Sequence, residues 1–315
     1  MYLVEIAKYL PSRVVDNDYF SARNGKDVEW MVRRTGMHER RRAGEGENTH
    51  VMAVKAVSAL QEKYGTLPPD IDLIVGCTYT PWDTLVTISH VVQHAFGFVH
   101  ARAMHLSSAC SSFLSALEMT AGMMESGRSK LALIVLAEHN SLYAKDDDSK
   151  SGHLWGDGAA AVLLSAQRTG RARFTILDIV TNGLAHIGKG IDAIQLIPSR
   201  TGLVMSHGRD IFEHSVEQMV ASVRGMLGRN GLKIEDIKLL VPHQANRRIL
   251  DSVARHLGMD EAQMAVTVDR YGNTGCASIP ITLSEADERA HRGDCVLLTA
   301  FGGGYSSGSA LLKRI

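Results

Sequence analysis

The sequence predicts an α/β fold built from two duplicated halves. Segments with helical spacing of apolar residues alternate with short continuous apolar runs, which are typical of buried strands. These segments follow the same order in residues 53–165 as in residues 216–313, and each copy contains a turn of small residues in front of a helix. Alternating strands and helices favour a mostly parallel sheet covered by helices in each half.

The two copies can be matched element by element. Each begins with a helix, Ala53–Tyr64 or Val216–Leu227, and each contains a turn that opens a further helix, Ser107–Ser112 or Gly272–Ser278. The predicted strands of the first copy correspond in order to those of the second: Asp70–Val75 to Asp236–Val241, Ala101–Leu106 to Met264–Val268, Leu131–Ala137 to Cys295–Thr299, and Ala159–Ser165 to Ser309–Lys313.

A less patterned stretch, Gly170–Ser206, follows the first copy. We therefore expect an N-terminal half at 1–165, carrying a cysteine turn, and a C-terminal half at 166–315, carrying a histidine and an asparagine.

The composition argues against several classes of protein. The 315 residues contain 34 Lys plus Arg and 34 Asp plus Glu, so no global attraction to nucleic acid or to an anionic membrane is expected. The longest apolar run, Leu131–Ala137, is too short to span a bilayer, and no signal peptide is visible. The four cysteines form no CxxC pair and no disulfide framework, and no cluster has metal-ligand spacing. We expect a protein of the reducing cytoplasm without a metal.

Cys110 is a candidate nucleophile, because it lies in the turn Ser107–Ser112 directly before a helical pattern. The N-terminus of a helix offers unpaired backbone N–H groups and the positive end of the helix dipole, and both favour a thiolate. The same N–H groups can hold an oxyanion beside the sulfur. The alternative is a small buried core residue, which is the usual role of a free cysteine.

His243 and Asn273 are candidate partners of Cys110. His243 follows the predicted strand Asp236–Val241, and ligands of α/β sheets tend to bind outside the carboxyl ends of strands. Asn273 lies in the second copy's counterpart of the Cys110 turn, so the duplication places it near the same cleft. A structural histidine and a turn or capping asparagine are the alternatives.

The glycine run Gly302–Gly304 fits neither the dinucleotide-binding fingerprint nor the phosphate-binding P-loop, and a strand pattern follows it. Three consecutive glycines suit a backbone that comes close to a reacting group and offers it an N–H.

Taken together, the chain resembles the thiolase superfamily and, within it, the β-ketoacyl-[acyl-carrier-protein] synthase III family. The similarity covers nearly the whole chain and depends on several motifs in the same order. They are Glu29-Trp30, Arg34-Thr35-Gly36, Glu39-Arg40, Cys110–Phe113, Trp155–Ala160, Val241–Asn246, Tyr271–Thr274, Ala300–Gly304 and Gly308–Leu311. The resemblance implies a thiolase-like fold with five layers, α-β-α-β-α.

The resemblance also implies an acyltransferase with a triad of Cys110, His243 and Asn273. The cysteine would take an acyl group from an acyl-CoA starter while the backbone N–H groups of Cys110 and Gly303 hold the oxyanion. A malonyl thioester on acyl carrier protein would then lose CO₂, and its enolate would attack the acyl-cysteine in a decarboxylative Claisen condensation, as in the initiation of fatty-acid synthesis. His243 and Asn273 would donate hydrogen bonds to the enolate oxygen.

Binding positions follow from the same resemblance. Trp30, Arg34 and Asn246 match positions that contact coenzyme A, which would be a substrate in its thioester form, with no cofactor bound permanently. Arg247 and Arg248 fall in the basic patch on which the acidic carrier protein docks. The resemblance further implies a homodimer.

The chain departs from the family pattern at positions that concern the substrate. Leu85 lies in the loop Thr80–Val86, which replaces a Phe-Pro region that gates the acyl pocket across the dimer interface. Ser112 replaces a glycine after the nucleophile, and Ser149, beside Lys150, replaces an arginine near the coenzyme A phosphates.

Three other functions stay open at this point. A relative in specialised metabolism would transfer the acyl group to another nucleophile or make a polyketide or quinolone product. A papain-like hydrolase also uses Cys, His and Asn, but the sequence lacks its local cysteine signature. A non-catalytic partner subunit would have little need of the complete triad.

Overall fold

The strands and helices of the computed structural model, which describes residues 1–315, alternate through most of the chain. The strands are β1 (Tyr2–Tyr9), β2 (Arg13–Asp16), β3 (Glu39–Arg42), β4 (Leu73–Cys77), β5 (Arg102–Leu106), β6 (Leu131–Glu138), β7 (Gly158–Ser165), β8 (Phe174–Gly183), β9 (Ile194–Ile197), β10 (Gly202–Met205), β11 (Ile237–Pro242), β12 (Cys295–Gly302) and β13 (Ser306–Arg314). The helices are α1 (Asn17–Asn24), α2 (Val28–Thr35), α3 (Thr49–Tyr64), α4 (Ile88–Phe96), α5 (Ser112–Glu125), α6 (Gly208–Arg229), α7 (Arg247–Leu257), α8 (Val268–Tyr271) and α9 (Ser278–Ala286).

Nine strands form one sheet whose order is nearly a mirror image about its centre. From one edge the order is β5-β4-β6-β7-β1, and it continues as β8-β13-β12-β11 to the other edge. The corresponding pairs run the same way in both parts: β4–β6 and β11–β12 are parallel, while β6–β7 and β12–β13 are antiparallel. The two parts join where Tyr2 and Leu3 of β1 pair with Thr175 and Phe174 of β8.

The helices pack in three layers around this sheet. Helices α3 and α4 cover the outer face of the β5-to-β1 part, and α6 covers the outer face of the β8-to-β11 part and packs on α7. Helices α5 and α9 lie between the two parts, because α5 contacts β4, β6, β8 and β13 while α9 contacts β1, β7 and β11. The predicted α-β-α-β-α arrangement is thereby confirmed.

Burial explains why the central strands are apolar throughout. Every residue of β7 and all but the first residue of β6 are buried, since helices cover both faces. The largest apolar cluster surrounds α5 and α9, and separate clusters lie under α3 and α6. None of the helices combines the length and the apolar character that a bilayer crossing requires.

Two details of the predicted sheet were wrong. We expected mostly parallel sheets, but antiparallel pairs outnumber parallel ones, because β7 and β13 return directly beside the strands that precede them. We also expected a strand at Met264–Val268, where only a single bridge between Leu240 and Met264 forms before α8 begins. The segment Gly170–Ser206, which showed little pattern, contains β8, β9 and β10.

Candidate active site

Cys110 lies in a constrained turn between β5 and α5. The preceding Ala109 has φ +49°, a left-handed conformation that costs a residue with a side chain about 1–2 kcal/mol. The Ser112 hydroxyl braces this turn: it accepts a hydrogen bond from the Ser108 N–H at 2.8 Å and donates to the Ala109 carbonyl at 2.6 Å. Ser112, which stands where the resemblance implies a glycine, therefore stabilises the turn that presents Cys110.

The glycine run at the end of β12 packs directly against the Cys110 turn. A methyl group on the Cα atom of Gly302 would lie 3.0 Å from the backbone nitrogens of Cys110 and Ser111, so a side chain there would crowd the turn. The backbone N–H groups of Gly303 and Cys110 are near enough to the Cys110 sulfur to lower the pKa of its thiol. These are the two N–H groups that we expected to form an oxyanion hole.

The Cys110 thiol is the resting form of the side chain. Burial raises the pKa of Cys110 to about 12, and the charge of Glu138 acts in the same direction. The N–H groups of Gly303 and Cys110 lower this pKa but do not offset the burial. The stabilisation of a thiolate that we expected from the helix N-terminus is therefore outweighed by desolvation.

His243 is fixed at the end of β11 by its backbone and by one ring nitrogen. Its N–H donates to the Thr299 carbonyl of the neighbouring strand at 2.8 Å, and its Nδ1 lies 2.7 Å from the Ser278 hydroxyl. Burial lowers the pKa of His243 to about 4, so the imidazole is neutral at pH 7. The Gln244 N–H donates to the same hydroxyl oxygen at 3.3 Å, which favours donation of the Ser278 proton to Nδ1 and leaves the His243 ring proton on Nε2.

Asn273 is held by hydrogen bonds that leave its amide nitrogen available. Its N–H donates to the Leu154 carbonyl at 2.9 Å, its carbonyl accepts from the Gly156 N–H at 3.0 Å, and its Oδ1 accepts from the Gly275 N–H at 2.9 Å. No protein group accepts a hydrogen bond from Nδ2, and Asn273 lines the same cavity as Cys110 and His243. The side chain can therefore donate to a ligand.

Three polar residues near Cys110 escaped the sequence analysis, and two of them, Glu138 and Asn140, are fully buried. Glu138, at the end of β6, accepts hydrogen bonds from the hydroxyl groups of Thr78 and Thr80, and burial raises its pKa to about 7. Tyr79 donates to Asn140 Oδ1 at 2.8 Å, and Asn140 Nδ2 donates to the Asn273 carbonyl at 3.2 Å.

The side chain of Tyr79 lines the same cavity as Cys110. Burial raises the pKa of Tyr79, and the charges of Glu138 and Cys110 act in the same direction. No local pattern in the sequence identifies this group, since the contacts of Tyr79 and Asn140 join segments about 60 positions apart.

A cavity of about 320 Å³ brings the three triad candidates together. Most of its lining is apolar, and β9, β10 and α6 supply part of it, including Leu196, Leu203, Met205 and Phe212. The mouth lies on the second half, where the exposed Gly208 and the partly exposed Asn246 belong to the lining. The cavity therefore leads from the surface near α6 and α7 to Cys110, which suits a long thioester arm. No group of three or more His, Cys, Asp or Glu residues is placed to hold a metal ion.

The predicted coenzyme A residues lie at or beside this mouth. Asn246 lines the cavity, caps α7 by accepting from the Arg248 N–H at 2.8 Å, and donates through Nδ2 to the Arg34 carbonyl at 3.2 Å. Trp30 and Arg34 do not line the cavity. They lie on α2 next to the mouth, with the Arg34 guanidinium 5.8 Å and the Lys26 ammonium 5.1 Å from the Trp30 ring.

The two arginines of the predicted docking patch differ in their contacts. Arg247 is paired with Asp251 at 2.6 Å and with Glu261 at 2.5 Å. Arg248 is exposed, forms no ion pair, and lies over the ring of Phe212, a residue of the cavity lining.

Leu85 does not line the cavity of its own chain. Its side chain is 85% exposed in the loop between β4 and α4, where Trp82 and Val86 are also exposed. The position of Leu85 therefore does not support a role in the acyl pocket of the same chain.

Comparisons with known proteins agree over the whole fold. Family models described as 3-oxoacyl-[acyl-carrier-protein] synthase III and as its C-terminal region match residues 104–183 and 227–314. The chain is 38% identical over 312 residues to the β-ketoacyl-[acyl-carrier-protein] synthase III of Bradyrhizobium diazoefficiens, covering 97% of this chain and 96% of that protein.

Solved structures give the same result. The crystal structure of 3-oxoacyl-[acyl-carrier-protein] synthase III from Aquifex aeolicus has a TM-score of 0.92 at 32% identity, covering 99% of both chains. The priming β-ketosynthase of a polyketide biosynthetic pathway has a TM-score of 0.89 at 30% identity, covering 99% of this chain and 96% of that one. The similarity includes both halves and every segment that contributes to the triad candidates.

Proposed function

This chain belongs to the 3-oxoacyl-[acyl-carrier-protein] synthase III family, and we propose that Cys110, His243 and Asn273 are the residues that perform its reaction. The protein is a condensing enzyme. It joins the acyl group of an acyl-CoA starter to a malonyl group on acyl carrier protein with loss of CO₂, the step that initiates fatty-acid synthesis. The observation that carries the assignment of residues is the single cavity that all three side chains line.

The first half-reaction transfers the acyl group to Cys110. The sulfur attacks the thioester carbon, the bond to the coenzyme A sulfur breaks, and the thiol proton leaves as part of free coenzyme A. The carbonyl oxygen becomes negative next to the Cys110 sulfur, which the N–H groups of Cys110 and Gly303 already approach. Fixed donors in a dry site stabilise the transition state more than the ground state.

The second half-reaction uses the two donors of the second half. When the malonyl thioester loses CO₂, charge develops on the thioester oxygen, and the free Nδ2 of Asn273 and the Nε2–H of His243 can both donate to it. The low pKa of His243 keeps the ring neutral, so it donates without supplying a proton to the carbanion. The carbanion then attacks the acyl-cysteine carbon, and the Cys110 sulfur leaves as a thiolate that takes up a proton from solvent to restore the thiol.

A second candidate function has the same chemistry but belongs to a different pathway. The full-length similarity to a priming β-ketosynthase supports an enzyme that starts a polyketide chain. Simple acyl transfer to another nucleophile is less well supported, because it needs no enolate stabilisation and both donors are in place.

The mouth residues supply the binding proposals. Trp30 offers an aromatic face and Arg34 a guanidinium beside the cavity entrance, which suit the adenine and phosphates of coenzyme A. Arg248 is the better candidate for the acidic carrier protein, since the guanidinium of Arg247 is occupied by two carboxylates. Coenzyme A thioesters and four unpaired cysteines fit the reducing cytoplasm.

A homodimer would explain the exposed loop between β4 and α4. Trp82, Leu85 and Val86 present apolar surface there, and contact with a second copy of the chain would bury it. We propose that Leu85 then reaches the acyl pocket of that second copy.

The test is incubation of the protein with labelled acetyl-CoA, further starters of other lengths, and malonyl-acyl carrier protein. We expect a 3-ketoacyl-acyl carrier protein and release of CO₂ in equal amounts, and neither with the Cys110→Ala variant, whose thermal unfolding serves as the control for folding. Intact protein that forms no condensation product with any starter would contradict the proposed function.

A further inference from the structure

The wall of the cavity beside Cys110 is formed by a tyrosine that is held at both ends. Tyr79 follows β4 and lines the cavity together with Cys110. Its backbone N–H donates to Glu138 Oε1 at 3.3 Å, and its hydroxyl donates to Asn140 Oδ1 at 2.8 Å. Asn140 is fully buried and also donates to the carbonyls of Gly156 and Asn273, so the acceptor of the phenol is itself fixed.

The phenol of Tyr79 packs closely against the Gly275 turn. A methyl group on the Cα atom of Gly275 would lie 2.5 Å from the Tyr79 hydroxyl oxygen and 2.8 Å from Glu138 Cγ. Glycine at this position is therefore what makes room for the phenol. Movement of the ring would also leave the buried Asn140 without its donor, which costs about 1–3 kcal/mol.

The space on the far side of this segment does not suit an alkyl chain. A separate cavity of about 160 Å³ touches the neighbouring residue Thr78, and its lining is mostly polar, including His50, Asp83 and His105. The mouth of the main cavity lies on the other half of the molecule, near Asn246 and Phe212. Tyr79 and Cys110 line the same cavity and both belong to the first half, so we expect an acyl group on Cys110 to extend toward Tyr79 when its thioester arm enters from the mouth.

We infer that Tyr79 is a specificity-determining residue that restricts the starter to short acyl groups. The inference rests on the proposed function, because it requires the acyl group to be carried by Cys110. It names a residue of the chain's own first half as the limit on acyl length, in addition to any residue that a second copy of the chain contributes.

The experiment measures acylation of Cys110 by intact mass and by single-turnover kinetics with acetyl-, butyryl-, hexanoyl- and octanoyl-CoA. For the native protein we expect a preference for acetyl over octanoyl of about a hundredfold, because a closed apolar site rejects added methylenes. Tyr79→Ala should reduce this preference to less than about tenfold. Tyr79→Leu should give an intermediate value and guards against a folding defect in the alanine variant.

Tyr79→Phe is the matched control, since it keeps the ring and removes the hydroxyl. It should keep the native order of acyl lengths. The inference is wrong if the native protein accepts octanoyl as readily as acetyl, if Tyr79→Ala and Tyr79→Leu keep the native preference, or if Tyr79→Phe broadens it as much as Tyr79→Ala. Absence of acylation by every starter in the native protein would instead contradict the proposed function.

Discussion

The turns before α5 and α9 occupy equivalent positions in the two halves but present different chemistry. In the first half, Cys110 stands only two residues before the start of α5. The left-handed conformation of Ala109 brings the Cys110 sulfur close to backbone N–H groups. In the second half, a 3-10 turn at Gly275–Ala277 separates Asn273 from α9, and Asn273 Oδ1 accepts from the Gly275 N–H. The longer turn leaves the amide nitrogen available.

The residues that follow β4 and β11, the equivalent strands of the two halves, also differ in chemistry. β4 in the first half is followed by Tyr79, a rigid apolar wall with its hydroxyl occupied, whereas β11 in the second half is followed by His243, a neutral donor. The duplication thus supplies one common cleft. Under the proposed function each half contributes separately: the first half would hold the acyl group and the second half would stabilise the enolate.

We expect the largest effect from substitution of Cys110, compared with substitution of Cys276 in the equivalent turn. Cys110→Ala should abolish acyl transfer and condensation completely, because no other group can hold the acyl intermediate. Cys276→Ser is the matched control in the second half, since Cys276 is fully buried and donates to the Cys77 carbonyl at 3.5 Å. It should keep activity within about tenfold, a cost of roughly one hydrogen bond. Equal loss in both variants, measured by product formation, would contradict the division of roles.

The pH dependence of Cys110 reactivity tests whether burial or the N–H groups of the turn have the larger effect on the pKa of the thiol. Since burial raises the pKa of Cys110 to about 12, the thiolate fraction grows with pH through the neutral range. Alkylation at Cys110, located by mass spectrometry, should therefore become about tenfold faster per pH unit between pH 6 and pH 9. A rate that is constant above pH 7 would mean that the turn stabilises the thiolate after all.

A smaller effect is expected from the group that orients His243. Ser278→Ala removes the hydroxyl that contacts His243 Nδ1, so condensation should slow by about tenfold, the equivalent of one hydrogen bond. Acylation of Cys110 should change little, because it does not use the imidazole as an enolate donor. Ser284→Ala, on the same helix and bonded only to the Ile281 carbonyl, is the control. Equal slowing of both half-reactions would indicate a structural role for Ser278.

The local pattern was enough to predict most elements and a common cleft for the three triad candidates. Matching segments placed Cys110 and Asn273 in equivalent turns, and the structure has both in one cavity with His243. The direction of strand pairing was not predictable in this way, because β7 and β13 could return on either side of their neighbours without a change in local sequence. The bridge at Met264 similarly depends on Leu240, a residue of another element.

The wall of the cavity was missed for a related reason. Leu196, Leu203 and Met205 belong to the short strands β9 and β10, in a stretch whose pattern is weak, and their role depends on packing against α6. The position of the Tyr79 side chain depends on contacts with Asn140 and Gly275, which are distant from it in the sequence. The positions of Leu85, Trp30 and Arg34 outside the cavity likewise could not be read from the motifs.

The most direct test of the account is a single turnover that separates the work of the two halves. The protein is first loaded with acetyl-CoA, the acetyl group on Cys110 is confirmed by intact mass, and malonyl-acyl carrier protein is then added. The native protein should release the label as 3-ketoacyl product, while Asn273→Ala should load normally and transfer the label roughly 100–1000 times more slowly. Loss of loading in Asn273→Ala, or transfer at the native rate, would contradict the claim that the first half carries the acyl group and the second half stabilises the enolate.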